Sequence, residues 1–234
     1  YWVPSLMYPY SKYVQQFKTL YGFKEDAITK INSDGKIIYQ KSVLEIMKKA
    51  KLIDDLHENW NHPNLLNDPI HINDIQPALS TTDYWMIGDL FISLRNFSAI
   101  IHYRPDEDMV INYIEGNFNF QHDVDIFSDS KIVLLNNNSL QYPLIDNVPR
   151  LTEIIIYDFQ KKSFERILNK ELIKEEVSTE FEGLLEFLDD GSIMIEEQGK
   201  GRILFYDKTG NLEWEYINKK DGKIYNLSWS RIIK

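Results

Sequence analysis

The chain has 234 residues, of which 26 are basic and 36 acidic, giving a formal net charge of −10 at pH 7. This length allows a large core, and an all-β ring or barrel of this size can form one domain. The acidic balance and the lack of a Lys/Arg stripe exclude a typical nucleic-acid binder, and the absence of cysteine excludes disulfide frameworks and thiolate zinc sites.

The N-terminal part of the chain predicts mixed local structure. Residues 1–26 are rich in tyrosine and contain two prolines, so we expect an irregular arm. An Asp-Gly turn between residues 27–31 and 36–40 predicts a β-hairpin. The apolar spacing over residues 42–52 predicts a short amphipathic helix. Residues 54–69 carry Asn, His, Asp and Pro and predict a loop.

From residue 71 onward, short strand patterns recur with a period of about 50 residues and four strands per period. This pattern predicts an all-β fold, a β-propeller of four-stranded blades, with an incomplete ring left open. The predicted propeller domain covers residues 27–234. Its blades span residues 71–115, 122–168 and 183–217, and a partial blade spans residues 225–234.

Two of the five histidines, His71 and His122, lie at the starts of predicted innermost strands, at equivalent points of their repeats. Innermost strands line the channel of a propeller, so we expect these side chains to converge there with Arg95, which ends a second strand. Imidazole is a usable nucleophile near neutral pH, and a guanidinium fork suits sulfate, phosphate or carboxylate. Asn73 shares a strand face with His71 by period-two alternation and can donate to a developing oxyanion.

Other roles for these residues stay open. Each candidate histidine can instead cap a backbone group or pair with a neighbouring aspartate, and Arg95 can form a surface or inter-blade ion pair. We expect the remaining histidines to be structural or exposed. These are His57, His62 and His102. Residues 136–138 predict a turn in which Asn136 can point inward.

A metal site is the main rival chemistry. His71 and His122 with Asp74, Asp123 or Asp125 could bind a divalent ion, but no H-x-x-x-H or H-E-x-x-H pattern is present. We therefore predict no metal site and no cofactor.

Four segments together resemble the arylsulfotransferases, PAPS-independent enzymes built on a six-bladed β-propeller. The matching segments are residues 68–75 (DPIHINDI), 88–96 (GDLFISLRN), 121–123 (QHD) and 131–138 (KIVLLNNN). The order H-x-N, S-x-R and Q-H-D is fairly specific in combination, although each piece alone is weak.

The resemblance implies a ping-pong transfer of a sulfuryl group from an aryl sulfate to a phenol through a sulfated histidine. By motif, His122 corresponds to the nucleophile. His71 and Asn73 correspond to the residues that hold the sulfuryl group and the phenolic oxygen, and Arg95 to the anion-binding arginine. The resemblance also implies small-molecule phenols and aryl sulfates as partners and a periplasmic or extracellular location. A homodimer is left open, and no apolar run reaches the roughly 18 residues of a membrane span.

The chain also departs from that family. Six blades need roughly 300 residues, and a further inward-facing histidine expected from an earlier blade has no match. We therefore expect either a smaller ring or a missing N-terminal part, and the start at Tyr1 rather than methionine predicts a processed, trimmed or partial chain.

Two alternative functions remain. The first is a non-catalytic binding module that uses exposed aromatic side chains, and the second is a metal-dependent hydrolase on the same fold. The aromatic candidates for the binding module are Tyr84, Trp85, Trp214 and Trp229.

Overall fold

A computed structural model describes residues 1–16, 22–53, 67–139, 151–179 and 181–233. The chain divides into two compact units, Tyr1–Gly116 and Asn117–Lys234. His57, His62 and most of the loop predicted at residues 54–69 lie outside the described residues. None of the helices in the described ranges is long and apolar enough to cross a membrane.

The first unit opens with a three-stranded antiparallel sheet followed by a helix. Its strands are β1 (Trp2–Leu6), β2 (Asp26–Ile31) and β3 (Ile37–Ser42), in that order. The Ser42 hydroxyl accepts a hydrogen bond from the Glu45 amide and so caps α1 (Val43–Lys49) at its N-terminus. The predicted hairpin and helix are both present. A short 3₁₀ helix, Val14–Gln16, precedes β2.

The N-terminal segment differs from the predicted irregular arm over residues 1–26. Residues 2–6 pair antiparallel with β2, from Trp2 opposite Lys30 to Leu6 opposite Asp26. Pro4 is compatible with this strand because β1 is at the sheet edge, where a missing N–H need not leave a gap in the ladder. The two prolines and the short strand length concealed this element in the sequence.

A four-stranded antiparallel sheet completes the first unit. It contains β4 (Ile72–Pro77), β5 (Leu90–Leu94), β6 (Ala99–Arg104) and β7 (Met109–Glu115), in sequence order. A 3₁₀ helix, Arg95–Phe97, joins β5 to β6. One buried apolar cluster includes Leu44 from α1, Ile28 from β2 and Ile92 from β5, so both sheets and the helix share a core.

The second unit contains two four-stranded antiparallel sheets, each again in sequence order. The first has β8 (His122–Ser128), β9 (Lys131–Asn136), β10 (Glu153–Asp158) and β11 (Ser163–Ile167), followed by α2 (Asn169–Lys174). The second has β12 (Leu184–Phe187), β13 (Ile193–Glu197), β14 (Arg202–Tyr206) and β15 (Leu212–Ile217), with a 3₁₀ helix, Gln198–Lys200, between β13 and β14. Their shared core includes Leu135, Ile154 and Ile195.

The predicted fold class, all-β with four-stranded blades, is confirmed. A meander of four antiparallel strands is the sheet type of propeller blades, and the three such sheets in the described ranges match the three predicted blades within about two residues at most strand ends.

The C-terminal segment differs from the predicted partial blade at 225–234. A two-residue hairpin, β16 (Lys219–Lys220) with β17 (Lys223–Ile224), follows β15. Residues 225–233 contain no strand. Isolated hydrogen bonds hold them to the preceding sheet, from the Leu227 amide to the Gln198 carbonyl and from the Ser230 amide to the Glu196 carboxylate. The apolar alternation of this segment therefore does not lead to strand pairing.

Gly183 sits where the second sheet of the second unit begins and passes close to the first. Its φ of +116° is a conformation that side chains rarely adopt, and an added Cβ would lie 2.7 Å from Leu135 Cδ2. A residue with a side chain would have to displace Leu135 or move the start of β12. The close approach of these two sheets therefore requires glycine here.

We expect Gly183→Ala to lower the free energy of unfolding by about 1–3 kcal/mol, because it combines backbone strain with a steric clash. Gly199→Ala is the matched control, since an added Cβ there meets nothing within 4 Å and the φ is ordinary. Urea titrations would measure both, and equal stability of the two variants would contradict the close-approach argument.

Candidate active site

His122 begins β8, and hydrogen bonds fix its ring at one nitrogen. Nδ1 lies 2.9 Å from the Asn137 amide oxygen and 3.3 Å from the Phe120 carbonyl oxygen. Both neighbours are acceptors, so Nδ1 carries the proton and donates it. The lone pair of the neutral ring is therefore on Nε2.

Asn137 joins this histidine to the next sheet of the same unit. Its amide nitrogen donates to the Glu182 carbonyl oxygen at 2.6 Å, which turns the amide oxygen toward His122. The Asn137 residue is only 1% exposed. The neighbouring Asn136 shapes the turn, because its side-chain oxygen accepts from the backbone amides of Asn119 and Asn138. Asn136 and Asn137 are both buried, and the inward orientation predicted for Asn136 stays a prediction.

Strand register shows that the two candidate histidines are not at equivalent points of their repeats. His122 is inside the β8–β9 ladder, opposite Leu135. His71 precedes β4 and has a φ of +55°. A β-bulge follows Ile72 in β4 and His122 in β8, so His122 corresponds to Ile72, the residue after His71. The two histidines therefore differ by one position in the strand register.

His71 pairs with a carboxylate. Its Nδ1 lies 2.9 Å from Asp68 Oδ2, and Lys24 Nζ lies 3.0 Å from the same oxygen. Burial alone would raise the pKa of Asp68, but the hydrogen bonds from His71 and Lys24 outweigh burial and lower it. The ring is 41% exposed, so one edge of this pair is accessible to solvent. This imidazole is held by an anion, whereas His122 is held by a neutral amide.

Arg95 lies directly beside His71 in the first unit. Its backbone amide donates to the His71 carbonyl oxygen at 3.1 Å, and its guanidinium donates to the Asn96 side chain at 2.9 Å. Burial lowers the pKa of Arg95 and the charge of Asp68 opposes that shift. A guanidinium remains charged at neutral pH. The structure therefore brings His71 and Arg95 together, and their convergence with His122 stays a prediction.

The face assigned to Asn73 rested on regular strand alternation, and the structure interrupts it. The register shifts between Ile72 and Asp74, which is a β-bulge, and His71 itself is left-handed. A bulge places two residues opposite one and breaks the period of two. The shared face of Asn73 and His71 therefore no longer follows from their spacing, and a role for Asn73 stays a prediction.

Asp26 fixes the backbone at the start of β4. Its carboxylate accepts from the His71 amide at 3.0 Å and also interacts with the Ile72 amide. Burial raises the pKa of Asp26 to about 7, and the charge of Asp68 adds to that effect. Sequence reasoning missed Asp26 because it lies on a strand of the preceding sheet, 45 residues away.

Two further acidic side chains lie on the first strands of the two sheets in the second unit, β8 and β12. Burial raises the pKa of Asp125 on β8, with the charge of Arg231 opposing and that of Glu186 on β12 adding to the shift. Within the described ranges, no group of three or more His, Asp or Glu side chains is arranged to hold a metal ion.

His102 has a different environment from the candidate histidines. It is fully buried, with Nε2 lying 2.8 Å from Asp89 and Nδ1 lying 3.1 Å from the Asn112 amide nitrogen. Arg104 contacts both oxygens of the same Asp89. This arrangement ties β6 to the loop before β5, which is a packing role.

The aromatic set of the binding-module alternative is only partly exposed. Trp85 is buried and packs edge-on against Phe91 with ring centroids 5.4 Å apart, so its predicted exposure was wrong. Tyr84 is half-buried. Trp214 and Trp229 are exposed, at 42% and 65%.

The comparisons with known proteins concern both family and fold. A family model described as arylsulfotransferase (ASST) matches residues 10–219. No match was found among curated proteins. A solved Bacteroides caccae protein of unknown function is similar with a TM-score of 0.51 and 11% identity, covering 82% of this chain and 59% of that one. The Dos1 propeller gives a TM-score of 0.43 and 8% identity, covering 79% of this chain and 40% of that one. This chain thus spans less than two thirds of either structure.

Asp26 makes stability depend on pH. The pKa of Asp26 is 3.8 in the unfolded chain, the ordinary value, and about 7 in the folded protein. The protonated carboxyl therefore favours folding below pH 4, and that stability is lost as pH rises toward 7. We expect Asp26→Asn to flatten the dependence of unfolding free energy on pH over this window, because the amide still offers an oxygen to the His71 amide. Chemical denaturation at several pH values would measure it.

Asp83→Asn, which neutralises an exposed carboxylate in a loop, is the charge-matched control. A wild-type curve parallel to that of Asp26→Asn across pH 4–7 would show that Asp26 does not titrate there.

Proposed function

Because the chain belongs to the arylsulfotransferase (ASST) family, we propose that it moves a sulfuryl group from an aryl sulfate to a phenol, with His122 as the nucleophile. The observation that carries this proposal is the state of the His122 ring. Two oxygen acceptors at Nδ1 hold the proton there and leave the lone pair on Nε2. A neutral imidazole with a defined lone pair is the form required for attack.

The proposed reaction has two steps of the same kind. In the first, the Nε2 lone pair forms a bond to sulfur while the bond from sulfur to the aryl oxygen breaks, and that electron pair leaves on the phenolate. The ring keeps its Nδ1 proton and carries the sulfuryl group. In the second, the oxygen of an acceptor phenol bonds to sulfur, the nitrogen–sulfur bond returns its pair to Nε2, and the phenolic proton is released.

His71, Asn73 and Arg95 are proposed as binding residues, by their place in the family motif. The transferring group is anionic, and fixed donors and cations stabilise such groups where charge develops. The guanidinium of Arg95 is partly buried and has the charge and fork geometry to bind sulfate oxygens, and the Arg95 backbone is hydrogen-bonded to His71. Support for Asn73 is limited to its motif position.

We expect the full-length protein to release phenolate from a chromogenic aryl sulfate in the presence of a phenol, and His122→Ala to abolish this turnover. Without acceptor, the wild type should accumulate one sulfuryl group on the peptide that contains His122, detected by mass spectrometry of rapidly quenched samples.

Glu213→Ala on the exposed strand β15 serves as the folded reference, because Glu213 belongs to neither the candidate active site nor the aromatic set. Circular dichroism should show that His122→Ala keeps the wild-type fold. Undiminished turnover in His122→Ala would refute the nucleophile, whereas intact aryl sulfate binding without any turnover in the wild type would favour the binding-module alternative.

A further inference from the structure

We infer that Asn137 is the positioning residue for His122 and that its neutral amide fixes the ring orientation and the tautomer in which Nε2 can attack. The inference rests on the proposed function for its chemical consequence, but the geometry stands alone. Asn137 accepts from His122 Nδ1 at 2.9 Å and donates to the Glu182 carbonyl oxygen at 2.6 Å. The amide cannot flip without facing its nitrogen toward a proton donor and its oxygen toward a carbonyl.

The fold holds Asn137 from two sides. Asn136 fixes the preceding turn through the backbone amides of Asn119 and Asn138 and donates from its own nitrogen to Glu153 at 2.8 Å. On the other side, Gly183 allows the start of β12 to come close to Leu135, which places the Glu182 carbonyl within reach of Asn137. Asn137 is buried, so water has little access to these hydrogen bonds.

A comparison within the chain shows why the amide matters. His71 has a carboxylate, Asp68, in the corresponding place at Nδ1. An anionic partner favours a protonated imidazole, whereas a neutral amide fixes the same tautomer without adding negative charge. A protonated ring has no lone pair at Nε2 and cannot attack sulfur. The two histidines thus have partners suited to different tasks.

The amide also suits the intermediate. Once Nε2 bonds to sulfur, the ring retains its Nδ1 proton and becomes cationic, balanced by the sulfuryl oxygens. A carboxylate at position 137 would stabilise this cation and so make the nitrogen–sulfur bond harder to break. A neutral amide keeps the hydrogen bond and leaves the sulfuryl group easy to transfer onward.

Charged groups lie on the elements next to this histidine, and they remain constant among the variants compared. Strand β8 itself carries Asp123 and Asp125, whereas Lys131 lies at the far end of β9 next to Asp158. The next sheet contributes Glu182 and Glu186, while Glu153 binds Asn136 and Arg231 lies near Asp125. A difference between variants at position 137 therefore reports that position alone.

The first test is the rate of aryl sulfate turnover as a function of pH. We expect Asn137→Ala to lower kcat by about 100-fold, because the ring loses its tautomer and orientation. Asn137→Asp keeps an oxygen acceptor, so at high pH it should restore the rate of His122 sulfation but not the onward transfer to the phenol, and the acidic limb of the sulfation step should move up by about one pH unit. Asn138→Asp makes the same chemical change one residue away and should shift the limb less.

The second test does not depend on activity. In ¹⁵N-resolved NMR spectra of the full-length protein, His122 should show the Nδ1–H tautomer, and Asn137→Ala should convert it to a mixture. A wild-type Nε2–H tautomer, or an acidic limb that does not move in Asn137→Asp, would overturn the assignment of Asn137. A correct tautomer in a protein that never forms sulfated His122 would overturn the proposed function and leave the positioning of the ring established.

Discussion

Hydrogen bonds from the side chains of one sheet to the backbone at the start of the next are the interactions on which the candidate site depends. In the first unit the Asp26 carboxylate accepts from the amide of His71. In the second unit Asp123 accepts from the Leu185 amide, and Asn137 donates to the Glu182 carbonyl. These backbone groups lie just before, or within the first two residues of, the first strand of a sheet. A buried backbone group left unsatisfied costs about 1–3 kcal/mol. Each of these hydrogen bonds, which we call clamps, therefore stabilises the contact between two sheets. The same clamps set the positions of His71 and His122.

These clamps explain why two histidines in similar sequences have different environments. The backbone amide of His71 binds Asp26, and the His71 ring instead binds the partly buried carboxylate of Asp68. His122 meets its clamp through its ring, because Asn137 bridges Nδ1 to the next sheet. The ring of His71 therefore faces a charged partner, whereas the ring of His122 faces a neutral one. Two histidines in similar places of two repeats therefore need not have the same role.

The blades could be predicted from the sequence because period-two alternation of apolar residues and Gly-containing turns are local signals. The turns at Gly35, Gly191 and Gly210 each close with a hydrogen bond from the glycine amide to a carbonyl three residues back. Edge strand Trp2–Leu6 was missed because it gains its structure from pairing with β2 rather than from its own pattern. Asp26 and Asn137 were missed for a related reason: their partners are 45 residues distant. The residues of the site carry a motif, but the groups that orient them are defined only by folding.

The electrostatics of the site also follow from burial. A chain with a net charge of −10 repels an anionic substrate at long range. Burial counters this locally, because it raises the pKa of Asp26 beside His71 and of Asp125 on the strand of His122. The shift favours the neutral form of each carboxyl and so weakens the negative field near the candidate histidines. Arg95, partly desolvated and still cationic, then acts in a less negative field than the composition of the chain implies. The buried carboxyl that binds the backbone at the start of β4 therefore also lowers the local negative charge beside His71.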